Sequence, residues 1–124
     1  MSNKYGENAN IIWSDKKRIL GMPISFTKYS LVSNDEGAKL FIKTGILSTA
    51  IDEIKLFRIY DIQIFQSLGQ KIFGVGTITL YTKDVTSPVA EIINVKNPYK
   101  VRNMLTEKIE EARDLKGVHI GEFY

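Results

Sequence analysis

The residues best placed to do chemistry in this sequence are three closely spaced glycines in the stretch SLGQKIFGVGTITLYTKD, residues 67–84. A phosphate-binding loop of the Walker type needs G-x-x-x-x-G-K-[ST], because backbone amides wrap the phosphates and the lysine reaches the outer one. Gly69 and Gly74 have the required separation, but Val75 and Gly76 stand where Lys and Ser/Thr are needed. The spacing therefore does not predict a phosphate loop.

The dinucleotide-binding pattern G-x-G-x-x-G also fails, since that pattern must open a helix and Thr79 stands in place of its third glycine. Gly76 leads instead into Thr77–Tyr81, an alternation of β-branched and aromatic residues that predicts a strand. We interpret the glycines structurally, with Gly69 in a tight turn and Gly74 and Gly76 where the backbone bends or crosses another strand closely. No cofactor site is predicted.

Groups that could catalyse a reaction or bind a metal are scarce elsewhere. The single histidine, His119, follows Gly117 in a predicted tail, which is a poor position for a catalytic base. Neighbouring carboxylates such as Asp52 and Glu53 point to opposite faces of a strand. The chain has no cysteine and no calcium-loop pattern. The sequence predicts a protein without enzymatic activity and without a metal.

Composition predicts one domain that acts inside the cell. The 124 residues, 44% hydrophobic and 25% charged, are enough for one core and too few for two. The net charge of +3 comes from basic residues spread from Lys4 to Lys116, which does not indicate nucleic-acid binding. The polar start MSNKYGENAN lacks the apolar region of a signal peptide, and no run of 18 apolar residues could span a membrane. We expect a cytoplasmic protein, in solution or at the inner membrane surface.

Alternating and β-branched segments predict six or seven strands. Ser33–Gly37 has turn chemistry and predicts a hairpin between the first two long segments. Ser14–Arg18 is interpreted as a charged turn, and Phe57–Tyr60 as a short turn or a single helical turn. The strand-like segments are Ile24–Val32, Lys39–Lys43, Thr49–Leu56, Asp61–Gln66, Val75–Thr82 and Val89–Val95, preceded by the apolar Ile11–Trp13.

The last element has helical spacing. Asn97 is the predicted N-cap, Pro98 the first helical residue and Gly117 the stop. The face predicted to be buried consists of Val101, Met104, Leu105, Ile109, Ala112 and Leu115. The face predicted to be solvated consists of Lys100, Arg102, Glu107, Lys108, Glu110, Glu111, Arg113 and Asp114.

Strands followed by one helix predict a mainly β (α+β) domain in which an antiparallel sheet or partial barrel is covered by the helix. We expect a flexible N-terminal tail over residues 1–10, a single domain over residues 11–116 and a C-terminal tail over residues 117–124.

Four segments carry a resemblance to a known family: Thr44–Leu47, Leu56–Ile62, Phe73–Thr77 and Asn97–Pro98. Because of these segments, residues 24–116 resemble the bacterial pleckstrin-homology (PH) domain family. The resemblance is to the members of that family that are stand-alone soluble proteins. The resemblance implies a partly open antiparallel β-barrel of about six to seven strands, capped by one C-terminal helix. It also implies an interaction module, since the PH fold serves phosphoinositide, peptide and protein binding alike.

Lipid-binding PH domains hold the headgroup in the loop that joins their first two strands. The resemblance places Asp35 and Glu36 in that loop, where carboxylates would repel phosphate. The nearest cations, Lys28, Lys39 and Lys43, include no arginine for a bidentate grip. Phosphoinositide binding is therefore not expected there.

Two hypotheses about function remain. The first is a module that binds a protein or peptide partner by β-augmentation at a sheet edge and in the groove beside the helix, or that self-associates through the same edges. The second is a peripheral membrane binder, in which Trp13 inserts and Lys16, Lys17 and Arg18 contact anionic lipid weakly. In the alternative reading of this segment, Trp13 and Ile19–Leu20 pack under the sheet while the basic turn faces water.

Overall fold

The computed structural model describes residues 10–34 and 37–117, without the side chain of residue 34. Most of the two predicted tails, with His119, and the turn residues Asp35 and Glu36 lie outside this range. The elements in chain order are β1 (Asn10–Lys16), β2 (Thr27–Asn34), β3 (Gly37–Thr44), β4 (Ala50–Lys55), a 3₁₀ turn (Leu56–Arg58), β5 (Ile59–Phe65), α1 (Leu68–Ile72), β6 (Val75–Thr82), β7 (Val89–Lys96) and α2 (Pro98–Leu115).

The strands form two antiparallel sheets, ordered β1-β2-β3-β4 and β5-β6-β7, and the 3₁₀ turn carries the chain from one to the other. Hydrogen bonds to β7 tie the first sheet and the loop after β1 to the second sheet. The Arg18 N–H donates to the Asn94 carbonyl at 2.8 Å, and the Ile93 N–H donates to the Tyr29 phenol oxygen at 2.9 Å. The expected partly open arrangement of seven strands with a C-terminal helix is confirmed.

The core lies between the sheets and α2. Alternate residues of β6, among them Ile78 and Leu80, are fully buried, as period-two patterning requires. On α2, Leu105 is fully buried and its stripe packs into the same cluster. The expectation for Leu115 is wrong, because this side chain is 74% exposed. Helical spacing gives the direction of a side chain but does not say where along the helix the sheets end.

The predicted charged turn at Ser14–Arg18 is wrong, since β1 continues to Lys16 and pairs with β2. Charge does not break this strand because Asp15 is satisfied where it lies. Its carboxylate accepts the Lys96 backbone N–H at 3.0 Å and forms an ion pair with Arg18. A strand with a compensated charge lacks the apolar alternation by which strands are recognised in sequence.

This first strand changes the numbering of the loops. The Ser33–Gly37 turn is flanked by β2 and β3, so the loop that joins the first two strands is residues 17–26. The strand predicted to begin at Ile24 begins at Thr27, and Ile24 and Phe26 are 56% and 62% exposed. The sequence argument against headgroup binding, which rested on Asp35 and Glu36, therefore concerned a different loop.

The glycines of residues 67–84 are structural, although not all as expected. Gly69 is not in a tight turn, because Ser67 and Gln70 form a capping box that starts α1 one residue before it. Gly74 has φ of +68°, which fits the predicted bend between α1 and β6. A Cβ at Gly76 would lie 2.8 Å from the Pro98 Cγ. The close approach is thus made mainly by the start of α2.

Candidate functional site

A groove separates β5 from α2. In the part of the chain that the structure describes, β5 pairs with β6 on one side only, and residues 59–62 at its start lie across the groove from the helix. The groove has a volume of about 270 Å³ and is lined by Ile59–Ile62 on the strand and by Arg102, Thr106, Ile109, Glu110 and Arg113 on the helix. An open strand edge beside a groove presents unpaired backbone groups next to side-chain pockets.

The strand side of the groove contains a bulge. Ile59 pairs with Thr82 and Asp61 with Tyr81, which leaves Tyr60 as an extra residue between them. The Tyr60 side chain is 56% exposed, and its ring lies 6.5 Å from that of Tyr81. A bulge increases local strand twist, so the start of β5 differs in direction from its later part.

Arg113 is the feature of this groove that the sequence did not reveal. It was assigned to the solvated face of α2, but it is only 7% exposed. Its Nη2 donates to the Ile59 carbonyl, whereas its buried Nε has no hydrogen-bond partner among the described residues. Its burial could have been predicted from its position four residues after Ile109, because this spacing places both side chains on one side of the helix. An assignment of the buried face that counts only apolar residues omits an arginine at such a position.

The residues predicted for a membrane or anion contact are not gathered into one site. Trp13 is half-buried and packs against the core, and it lines a second groove of about 360 Å³ together with Arg18, Lys96 and Lys100. Lys16 and Lys17 do not line that groove. The structure therefore places Trp13 and Arg18 in the lining of one groove, without the two lysines.

Arg18 is already engaged by groups of the protein. Its Nε lies 3.3 Å from both Asp15 carboxylate oxygens and its Nη2 lies 3.2 Å from Oδ1. Its Nη1 donates to the Gly21 carbonyl at 2.9 Å. The guanidinium thus anchors the start of the loop over residues 17–26, and an external anion would have to compete with Asp15.

That loop presents apolar side chains to solvent. Ile19 and Met22 exchange two backbone hydrogen bonds of 2.9 and 3.0 Å around Leu20 and Gly21, whose φ values are +52° and +81°. These are the features of a type I′ hairpin turn, which normally has Asn or Gly at the position of Leu20. Leu20 is 66% exposed and Ile19 46% exposed. The expectation that Ile19–Leu20 pack under the sheet is wrong.

The loop rests on the segment around α1. A Cβ at Gly21 would lie 3.7 Å from the Phe73 Cβ, so the turn sits against this ring residue. Asn94, which has φ of +54° in a bulged part of β7, joins the two parts. Its carbonyl accepts the Arg18 N–H at 2.8 Å, and its side-chain oxygen accepts Gln70 Nε2 at 2.7 Å. The exposed apolar turn is therefore held in place from two sides.

The three lysines considered for headgroup binding lie on β2 and β3. Lys28 is directly opposite Lys43, and Lys39 forms an ion pair of 3.3 Å with Glu53 on β4. A cation that is paired within its own sheet is a weaker candidate for binding phosphate.

Two groups with displaced pKa values lie outside both grooves. Burial raises the pKa of Tyr29 above its ordinary value, and the hydrogen bond from Ile93 opposes that rise. The hydrogen bonds from the Thr86 side chain and backbone lower the pKa of Asp84. We therefore assign both shifts to local packing and turn structure.

Comparison with known families shows which family this chain belongs to. The sequence model of the family described as bacterial PH domain matches residues 19–109. The chain belongs to the bacterial PH domain family. No curated protein and no solved structure matches it. PH domains are generally non-catalytic modules that bind proteins or lipids. Within the described part of this bacterial PH domain, no helix is long and apolar enough to cross a membrane.

Proposed function

We propose that this bacterial PH domain is a non-catalytic module that binds an extended segment of a partner protein along the free edge of β5. The observation that carries the proposal is the groove of about 270 Å³ between this edge and α2. A peptide strand added to β5 gains main-chain hydrogen bonds, while its alternate side chains enter the groove and provide specificity.

The walls of the groove suit such a segment. Ile62 and Ile109 supply apolar surface, and Tyr60 adds an exposed aromatic ring at the bulged end. Thr106 and Glu110 add polar groups on the helix. A second copy of this chain is another occupant of the same edge, and measuring the molecular mass in solution over a range of concentrations separates self-association from peptide binding.

The test uses a library of random dodecapeptides displayed on phage, with the intact protein as target. Thr106→Trp would fill the groove from an exposed position on α2, and Glu107→Trp places the same ring on the neighbouring residue, which does not line the groove. We expect Thr106→Trp to weaken binding of the selected peptides about tenfold or more, a loss of about 1.4 kcal/mol. Glu107→Trp should bind like the wild type. Failure to select any peptide, or equal binding by both variants, would contradict the proposal.

A second function, contact with an anionic membrane, is supported by the exposed turn at Leu20. An apolar residue held at the tip of a rigid hairpin, with Lys16 and Lys17 just before it, combines insertion with attraction to anionic lipid. We propose that any membrane contact is weak, that it places the protein at the inner membrane surface, and that it uses this loop. Trp13 would support the loop without inserting itself.

Sedimentation with phosphatidylglycerol vesicles tests this second function, with phosphatidylcholine vesicles as the reference. Binding should be weak and should fall with added salt, because exposed charges are screened. Leu20→Asn and Lys17→Ala should each reduce binding, and Lys39→Ala should not. Strong binding that Lys39→Ala abolishes would place the lipid site on β3 and refute the proposed contact.

A further inference from the structure

The buried guanidinium of Arg113 indicates what the partner segment carries, an inference that rests on the proposed function. Arg113 is 7% exposed and lines the groove beside β5. Its Nη2 is bonded to the Ile59 carbonyl, and its Nε, fully removed from solvent, has no hydrogen-bond partner among residues 10–34 and 37–117. A buried N–H donor without an acceptor is costly, and more so when it belongs to a charged group.

No carboxylate of the described chain neutralises this arginine. Asp61 and Glu110 line the same groove, but neither forms an ion pair with Arg113. Asp61 accepts its neighbour's N–H, from Ile62, at 2.9 Å. The groove therefore contains a buried positive charge that lacks an acceptor for its Nε.

We propose that the segment bound along β5 carries an acidic side chain whose carboxylate binds Arg113. The Nε–H and the second N–H of Nη2 lie on the same edge of the planar guanidinium, and such an edge matches the two oxygens of a carboxylate. Because Nε is shielded from solvent in the unbound protein, the Arg113 side chain shifts toward the groove when the carboxylate binds. Asp61 and Glu110 balance the charges of Arg102 and Arg113 in the lining of the groove. The preference for an acidic residue therefore comes from the Arg113 Nε–H, which has no acceptor among the described residues.

The position of the acidic residue along the added strand follows from the bond to Ile59. Because the Ile59 carbonyl already accepts from Arg113, the added strand pairs with β5 beyond it, along Asp61–Phe65. Pairing there displaces the Asp61 carboxylate from the Ile62 N–H. The acidic residue then lies at the end of the paired segment nearest Ile59. In the bound segment, the next side chain that faces α2 lies two residues from the acidic one, and it contacts Ile62 and Ile109.

The test uses synthetic versions of the phage-selected peptides with amidated C-termini, so that every carboxylate measured belongs to a side chain. We expect the selected sequences to share one Asp or Glu position, and its replacement by Asn or Gln to weaken binding about tenfold, as for a hydrogen bond to a charged group. When the protein carries Arg113→Met, replacing the acidic residue of the peptide should change binding less than twofold. Arg102→Met, at the partly exposed arginine of the groove, should retain the acid preference.

Each outcome decides the matter. Peptides that Thr106→Trp excludes but that need no acidic residue would overturn the Arg113 proposal and leave the proposed function standing. An acid preference that survives in Arg113→Met would also overturn it. If Arg113→Met fails to fold, Arg113→Gln provides the same test, because glutamine removes the charge while its amide N–H can still donate to the Ile59 carbonyl. Peptides insensitive to Thr106→Trp, or no peptides at all, would overturn both proposals.

Discussion

At the scale of single residues, the features that matter here are polar or strained groups at positions where sequence rules expect something else. Arg113 is buried, although the sequence predicts a solvated face of the helix at this position. Asp15 lies in a strand, although the sequence predicts a turn there. Leu20 adopts a left-handed φ in an exposed turn. None of these positions follows from residue type, because each depends on a partner that is distant in sequence or on a turn geometry fixed by the surrounding strands.

Tyr29 gives a prediction about pH. Its buried phenol accepts the Ile93 N–H, so Tyr29→Phe leaves that donor unsatisfied and should lower the free energy of unfolding by about 1 to 3 kcal/mol at neutral pH. Burial raises the folded-state pKa of Tyr29 above its unfolded value, so the stability that the neutral phenol contributes is present below about pH 10 and is lost as pH rises through the folded-state value.

Urea unfolding of both proteins from about pH 8 to pH 11 checks this linkage. The stability difference between wild type and Tyr29→Phe should shrink at the alkaline end, because only the wild type loses the contribution of Tyr29. A difference that stays constant over the whole range would show that Tyr29 does not titrate with unfolding.

Leu20 gives a second prediction at this scale. Asn is favoured where Leu20 stands in the type I′ turn, and a left-handed conformation costs an ordinary L-residue roughly 1 kcal/mol or more. Leu20→Asn should therefore raise the free energy of unfolding by up to about 1 kcal/mol while it weakens vesicle binding. A variant that melts at a lower temperature than the wild type would mean that Leu20 contributes packing that its 66% exposure does not suggest.

At the scale of elements, the strongly periodic segments were predicted and the short or charged ones were not. The stripe of α2 and the alternation of β6 identified both elements, because many residues repeat the same spacing. The five-residue α1 was missed, although Ser67 and Gln70 form a capping box. Its glycine favoured a turn, and a helix this short has too few residues to display a period.

The α2 helix provides a matched pair of variants. Leu105 is fully buried, so Leu105→Ala should lower the free energy of unfolding by about 2 to 5 kcal/mol. Glu111 is exposed and forms a surface ion pair of 3.0 Å with Lys108, so Glu111→Ala should change the free energy of unfolding by at most about 0.5 kcal/mol. Thermal melts of both variants compare the two. An unchanged midpoint for Leu105→Ala would mean that α2 is a detachable docking element and not part of the core.

At the scale of the whole molecule, the succession of strands along the chain and the closing helix followed from the sequence, whereas the site did not. The sequence indicated a sheet edge and a groove beside the helix in general terms. It could not say that β5 borders that groove or that Arg113 enters it, since both depend on how two sheets and a helix meet. The basic residues near Trp13 were visible in the sequence, but the ion pair between Asp15 and Arg18 was not.

The most direct measurement of the central claim is amide hydrogen exchange of the intact protein with and without a selected peptide. Strand addition predicts new protection at alternate amides of Asp61–Phe65, because one residue in two directs its N–H to the free edge. Protection should also rise along the facing side of α2. Protection confined to the loop of residues 17–26, with no change in β5, would contradict the account.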